Sequence, residues 1–380
     1  MKILLVGEYN SSHKTLKDGL VSLGHEVTVV GMGDGFKKRK VDVNFSEKYK
    51  KGLPLWINKV LFKLFNIDLH SNSIEKQFFR KKELFSNNDI VQLINEHSFL
   101  TQPKTEKKLL DFIFQNNKNV FLLSCGLDHI SVKFAQDKKY RYSILTPYFE
   151  GKRHKKNYYS ITKYLTEPFT KLHHFIFENI KGIIASDLDY HVPLDGHPKY
   201  LGMVPNPIDV TKFAYQFPEI KDKVVIFHGI NRNNYYKKGN YLFEEALEIL
   251  RSKHPDKIEI VTVESVPYET YINLFNDAHI LLDQVFAYDQ GFNALEAMAK
   301  GKVVLTGAEK EWLDYFNLQE DTVAINALPD AQKIADKLEW LILNPEKMRE
   351  ISLNARKFIE EEHDHIKMAQ RYFDLWSSKI

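Results

Sequence analysis

Asp289-Gln-Gly291-Phe-Asn-Ala-Leu-Glu296-Ala-Met-Ala-Lys-Gly301-Lys-Val-Val-Leu-Thr306-Gly307 reads as loop, helix, tight turn and buried strand. Gln290-Gly291 interrupts the preceding order, and Asn293 to Lys300 is built largely from strong helix formers. Gly301 is placed to end that helix in a left-handed turn, and Lys302-Val-Val-Leu-Thr306 follows as a short apolar strand. A glycine loop thus opens onto a helix N-terminus, whose unpaired N–H groups and partial positive charge suit a phosphate. Glu296, about one turn in, is placed to accept hydrogen bonds from vicinal hydroxyls such as those of a ribose. The same pattern also describes an ordinary buried helix between two strands, with Gly291 as punctuation.

Working outward, 380 residues suffice for two domains of ordinary size, and 43% apolar with 27% charged residues describes a globular chain. The single cysteine, Cys125, excludes an intrachain disulfide and fits a reducing compartment, so a cytoplasmic protein is expected. Met1-Lys-Ile-Leu-Leu-Val-Gly7-Glu8 reads as a first β-strand, with an apolar run too short for a signal peptide. No apolar stretch is long enough to predict a transmembrane helix. The net charge of +3 hides an asymmetry: residues 1–200 hold 32 Lys and Arg against 21 Asp and Glu, a balance of +11, which leaves −8 for residues 201–380. A basic and an acidic half suggest two bodies with different partners.

The first half opens strand–helix–strand, over Lys2–Gly7, Ser11–Leu23 and Glu26–Val30, which suggests a parallel α/β sheet. Its first turn, Gly7-Glu8-Tyr9-Asn10-Ser11-Ser12, lacks G-x-G-x-x-G and so argues against a standard dinucleotide-binding turn. A basic run begins at Lys37-Lys-Arg-Lys40 and leads into Pro54–Phe65, a predicted helix with Trp56, Ile57, Val60, Leu61, Leu64 and Phe65 on one face and Lys59 and Lys63 flanking it. Residues 37–65 suit peripheral contact with an anionic membrane, at its inner face, or else a solvated basic face packed on its own domain. Asp89–Ile94 and Val120–Ser124 read as buried strands. Asp128 and His129 follow the second one, where doubly wound sheets bind ligands. The basic and aromatic stretch 138–173 admits a nucleic-acid reading, but its apolar helical pattern disfavours one and no nucleic acid is expected. Lys181–Ser186 reads as the last strand of this domain. Asp187-Leu-Asp189 after it is either a Mg²⁺ site or a pair of helix N-terminal acids.

Val204-Pro-Asn-Pro-Ile-Asp209 marks the domain boundary. This gives a first domain over 1–203, a second over 204–362, and a helix over 363–380 with enough apolar surface to cross back to the first. A new strand ends at His228-Gly229, and the loop beyond it carries Asn231, Arg232, Lys237 and Lys238, three of them cations able to neutralise a diphosphate.

Four stretches in order resemble the GT-B glycosyltransferases of the large retaining family 4 type. Val204-Pro-Asn206-Pro-Ile-Asp209-x-x-x-Phe213 is similar to that family's linker, and Gly229…Arg232…Lys238-Gly239 to its donor-phosphate loop. Glu264 to Leu282 resembles the segment before the active-site strand, and Gly291-Phe292-Asn293-Ala294-Leu295-Glu296-Ala-Met-Ala-Lys-Gly301 the core of its E-x7-E motif. The resemblance implies two Rossmann-like doubly wound domains facing across a cleft. It also implies transfer, with retention, from a nucleoside diphosphate sugar to a saccharide or lipid-linked saccharide in cell-surface polysaccharide synthesis.

The donor is expected on Gly229, Asn231, Arg232, Lys238, Tyr288 and Gln290 through Glu296, with Gly7 and Glu8 on the acceptor side and Asp128, His129 and Asp289 catalytic. No cofactor or metal is required where two cations meet the diphosphate. In the motif, the acid expected eight positions before Glu296 is Tyr288, with Asp289 beside it; either Asp289 takes its part through a shifted loop or the site works without it. A nucleotide-sugar epimerase, a non-catalytic sugar-nucleotide binder and a metal-dependent transferase using Asp187 and Asp189 are the competing readings.

Overall fold

The computed structural model describes residues 1–32, 41–264, 266 and 268–380. The basic run Lys37–Lys40, and Ser265 and Pro267 of the third family-like stretch, lie outside the described residues. Short apolar runs bounded by loops become parallel strands, the central ones buried on both faces. Seven strands, β1 (Lys2–Val6), β2 (Glu26–Gly31), β3 (Val43–Asn44), β4 (Ile90–Leu93), β5 (Val120–Ser124), β6 (Gly182–Ala185) and β7 (Tyr200–Met203), form one sheet in the order 3-2-1-4-5-6-7. Every pairing in it is parallel. Five more, β8 (Val224–Ile230), β9 (Ile258–Glu264), β10 (Ile280–Leu282), β11 (Val303–Thr306) and β12 (Ile325–Asn326), form a second parallel sheet in the order 12-11-10-8-9. Both orders reverse once, between β1 and β4 and between β8 and β10, and such reversals leave a crevice beyond the strand ends.

One expectation is corrected. The first sheet ends with β7 and not with the strand over 182–185. Strand β7 is four residues long, contains Gly202 at φ 125°, and pairs with β6 through a register shift. So short and interrupted a segment carries little strand signal.

The chain crosses between the domains twice, and the two crossings clasp each other. Ile208 N donates to His363 O (2.7 Å) and His365 N to Ile208 O (3.1 Å). The final helix, His365–Ser377, then lies against the helix Ser12–Ser22 of the first domain. Gly19 permits this approach, since a Cβ there would sit 2.2 Å from His365 O. Trp376, fully buried, donates its indole N–H to Gln92 Oε1 (3.1 Å), and Gln92 shares a further hydrogen bond with His13 (3.2 Å). The apolar end of the chain is thereby seated on the first sheet with the Trp376 indole N–H satisfied.

Candidate active site

The loops beyond the strand ends of both sheets enclose a cavity of about 320 Å³, within the size range of small-molecule sites. Tyr9 and Asn10 after β1, Gly126 and Leu127 after β5, and Asp187 and Asp189 after β6 line one side; Gln284 and residues 286–292, Tyr288 excepted, line the other. Several first-domain loops are bent into the left-handed region here: Asn10 at φ 51°, Ser11 at 74° and Leu127 at 87°. Such strain in non-glycine residues persists only where surrounding contacts enforce it; Leu127 N, for example, donates to Tyr190 Oη (2.9 Å).

The helix Phe292–Ala299 points its N-terminus at this cavity. Gly291 is its N-cap and no side chain caps it; a Cβ on Gly291 would meet nothing within 4 Å. Phe292, Ala294 and Leu295 are buried and fix the helix to its sheet, while Asn293 and Glu296 are half-buried. Gly301 ends the turn beyond it at φ 83°, the left-handed stop expected there. The positive end of the helix dipole, covered by no N-cap side chain, thus faces the cavity at Gly291 and Phe292.

Lys238 lies at the second sheet's switch point. Its Nζ is 2.8 Å from Asp283 Oδ1, whose side chain is fully buried beyond β10. Gly239 follows at φ 75°, and a Cβ on it would come within 2.7 Å of Val285 Cβ. Val285 N donates to Lys238 O (2.8 Å), so the loops after β8 and β10 are zipped together. Gly229 is the penultimate residue of β8, not a loop residue. Asn231 and Arg232 are exposed beyond that strand; Asn231 Oδ1 accepts from Asn233 N (3.0 Å), and Arg232 pairs with Glu264 (2.6 Å). Lys237 reaches Ser160 of the first domain (3.4 Å). None of the three cations lines the cavity wall.

Tyr288 and Asp289 hold the two domains together. Asp289 Oδ2 accepts from Leu188 N (3.0 Å) and its Oδ1 from Gln290 N (2.6 Å). Reciprocally, Asp189 accepts from Tyr288 N (3.1 and 3.2 Å). Deep in the cleft, removal from water pushes the Asp289 carboxyl up to about 6 and that of Asp189 up to about 7, the latter with help from the Asp289 charge. Asp187, raised well above its usual range by burial and by both neighbours, caps the helix Leu188–Leu194 by accepting from Asp189 N (3.1 Å). The Asp-x-Asp pair thus serves as a helix cap and an interdomain latch. Among the described residues no three His, Cys, Asp or Glu side chains converge as a metal site.

The basic and aromatic stretch also bridges the domains. Arg141 pairs with Glu309 (2.6 Å) and Glu311 (2.7 Å), lies 4.7 Å over the Tyr288 ring, and donates its backbone N–H to Tyr288 Oη (2.8 Å). Tyr142 Oη donates to Glu309. Lys152 and Arg153 stack over Tyr241 (4.2 Å) and Tyr236 (4.5 Å). Part of the charge asymmetry of the two halves is met here, cation to carboxylate, across the cleft.

The remaining sequence-level candidates divide. Asp128 and His129 do not reach the cavity lining. Asp128 is 1% exposed and forms a capping box for the helix His129–Gln136, accepting from Ser131 N (2.7 Å) and from Ser124 Oγ. His129 shares a hydrogen bond with Tyr164 O (2.9 Å) and stacks on His173 with ring centres 4.4 Å apart. The structure gives both residues local partners, and an aspartate directly before a helix serves as its cap. Gly7 and Glu8 sit one step behind the wall. A Cβ on Gly7 would lie 2.1 Å from Ile94 Cγ2, and buried Glu8 accepts from Lys14 N (2.8 Å). Their successors Tyr9 and Asn10, which sequence reasoning passed over, form the wall; the position just past the first strand was the available signal.

Residues 231–374 match a family model described as glycosyl transferase-like. No curated protein sequence matches the chain. Among solved structures, sucrose-phosphate synthase from Thermosynechococcus elongatus is similar over 100% of this chain and 99% of its own, at 13% identity and a TM-score of 0.62. HepE of Anabaena in complex with UDP and glucose is similar over 100% of both chains, at 13% identity and 0.59. A TarM variant of S. aureus in complex with fondaparinux, alpha-GlcNAc-glycerol and UDP is similar over 81% of this chain and 59% of its own, at 14% identity and 0.53. The chain therefore has the GT-B fold that these structures share, and over residues 231–374 it is similar to the glycosyl transferase-like family.

Proposed function

We propose that this GT-B glycosyltransferase takes a nucleoside diphosphate sugar in the interdomain cleft and transfers the sugar, with retention, to a saccharide or lipid-linked saccharide. The observation that carries the reading is the uncapped N-terminus of the helix Phe292–Ala299 opening beside the cavity. The diphosphate lies against that N-terminus and Lys238, and Glu296 accepts from the ribose hydroxyls. UDP is the first nucleotide to try, since the structures of HepE and TarM contain it.

Preorganised N–H dipoles and the Lys238 ammonium stabilise the charge that grows on the leaving diphosphate as the C1–O bond breaks. No metal is needed for that step. The anomeric carbon becomes oxocarbenium-like, and the acceptor hydroxyl bonds to it from the face the diphosphate leaves, giving up its proton to the departing group. Asp289, already at the cavity wall, orients the sugar in place of the acid missing at Tyr288. The Arg141 and Asp189 contacts keep the cleft closed against water, which would otherwise hydrolyse the donor. The family resemblance supports retention and a role in cell-surface polysaccharide synthesis.

Tyr288 favours one alternative, a sugar-nucleotide binder without turnover: where the motif has an acid, this chain has a phenol tied to Arg141. Incubation with UDP-glucose, followed by separation of UDP, free glucose and glucosyl products, decides between them. Release of UDP beyond the enzyme-free rate supports the transferase, and accumulation of an epimeric UDP-sugar points to an epimerase. UDP-glucose that binds but stays intact with saccharide and lipid-linked acceptors present overturns the catalytic reading.

A further inference from the structure

The helix Gly52–Phe65 has no buried residue. Of the seventeen large apolar side chains exposed among the described residues, seven lie between 53 and 67, and Leu53, Trp56, Leu64 and Phe65 are each more than 60% exposed. Leu53, Trp56, Ile57, Val60 and Leu64 recur at helical spacing, so they form one face. A face of this kind on a surface helix ordinarily turns inward; here Val60 is half-buried and the other four are exposed. The helix is nonetheless held in place: Asn58 donates to Asp68 Oδ1 (2.9 Å) and accepts from Leu69 N (2.6 Å). The apolar face is presented, ready-formed, to whatever covers it.

Charge identifies the occupant. Residues 48–67 contain Lys48, Lys50, Lys51, Lys59 and Lys63 and no Asp or Glu. Lys59 and Lys63, both exposed, lie one turn apart beside the apolar face. Lysines flanking a tryptophan-bearing apolar face match the layers of an anionic bilayer surface, with headgroups outside and acyl chains beneath. The location fits as well. The chain leaves β3 at its C-terminal end, the end of the sheet from which Tyr9, Asn10 and Leu127 reach the cavity, and runs through residues 45–51 into this helix. We infer that the helix Gly52–Phe65 seats the first domain on an anionic lipid bilayer, with the cleft end of its sheet towards the lipid. This inference stands independently of the donor site.

The test uses the full chain with vesicles of phosphatidylcholine alone and of phosphatidylcholine with phosphatidylglycerol. The chain is expected to sediment with the anionic vesicles only, less so as salt rises, and its tryptophan emission to shift to the blue. Trp56 is the main reporter, because Trp312 and Trp376 are fully buried and Trp340 is half-buried. Lys59→Gln with Lys63→Gln should lower vesicle partition about 25-fold, at about fivefold per lysine. Trp56→Ser with Leu64→Ser should abolish sedimentation and leave the UDP-induced thermal shift unchanged, so that a failure here is separable from a failure of the donor site. The inference is overturned if the wild type stays in solution with both vesicles, or if the serine variant sediments as well as the wild type. It is also overturned if the wild type is a dimer in solution that the serine variant dissociates, which would assign the face to a second copy of the chain.

Discussion

Replacing Lys238 with alanine tests stability and ligand binding at one position. Its ammonium is 2.8 Å from Asp283, whose side chain is fully buried, while the lysine side chain is about one-third exposed. Removing one partner of a buried ion pair costs about 3–5 kcal/mol, chiefly from the stranded charge. Water reaches the lysine end here, and Thr306 Oγ1 still donates to Asp283 Oδ2 (3.3 Å), so we expect roughly 2–3 kcal/mol. For a domain of this size that lowers the unfolding midpoint by about 5–10 °C. Asp283→Ala added to Lys238→Ala should recover part of the loss, because the second change removes the unpaired carboxylate. Thermal unfolding of the wild type, both single variants and the double variant gives the coupling. UDP binding, measured well below every midpoint, should be lost in both variants that lack the lysine. A Lys238→Ala chain that melts with the wild type, or a double variant no more stable than Lys238→Ala, would refute the account of the switch point.

Three further outcomes are expected. Asp189 and Asp289 have carboxyls raised to about 7 and about 6 in the folded chain, against about 3.9 when unfolded. The folded state therefore holds extra protons, and its stability falls as pH rises from about 4 to about 7. Buried His13, His97, His173 and His363, all lowered by burial, act in the opposite sense. The measurement is accordingly the difference between wild type and Asp189→Asn, which should favour the variant increasingly up to about pH 7; a flat difference would contradict the latch. Asp128→Asn keeps a good helix cap and should leave both midpoint and turnover near wild type, whereas a catalytic acid would lose about a hundredfold or more in rate. Gly239→Ala combines a left-handed φ with a 2.7 Å clash against Val285 and should cost roughly 2–4 kcal/mol in a chemical unfolding titration.

The fold was legible where information is local. The strand–helix opening, the Gly291 loop with its helix, and the Gly301 stop are written in propensity and spacing, and they stand within a few residues of expectation. The closing helix was also visible, because Tyr372 and Trp376 need somewhere to be buried. What the sequence withheld is long-range. The Asp289–Leu188 contact joins residues 101 positions apart and the Arg141–Glu309 pair residues 168 apart. Asp187-x-Asp189 fits a cap or a metal site equally well until its partners are known. The stretch 138–173 reads as loose basic charge because the carboxylates and aromatic rings it meets lie in the other domain. Asp128 admits two readings because a strand end implies both a cleft and, when a helix follows, a cap. Periodicity marks residues 54–65 as amphipathic but does not say which way the face turns; the structure turns it outward.

The central claim is a nucleoside diphosphate site at Gly291–Glu296 beside the cleft, and isothermal titration of UDP in EDTA, against wild type and Glu296→Ala, tests it most directly. The account predicts one-site binding by the wild type without metal, stabilising the fold by about 2.7 kcal/mol at 100 times the Kd. It predicts affinity at least tenfold weaker in Glu296→Ala, where about 1.4 kcal/mol or more of hydroxyl hydrogen bonding to a carboxylate is removed. Equal UDP affinity in the two chains, or binding that appears only when Mg²⁺ replaces EDTA, would contradict it.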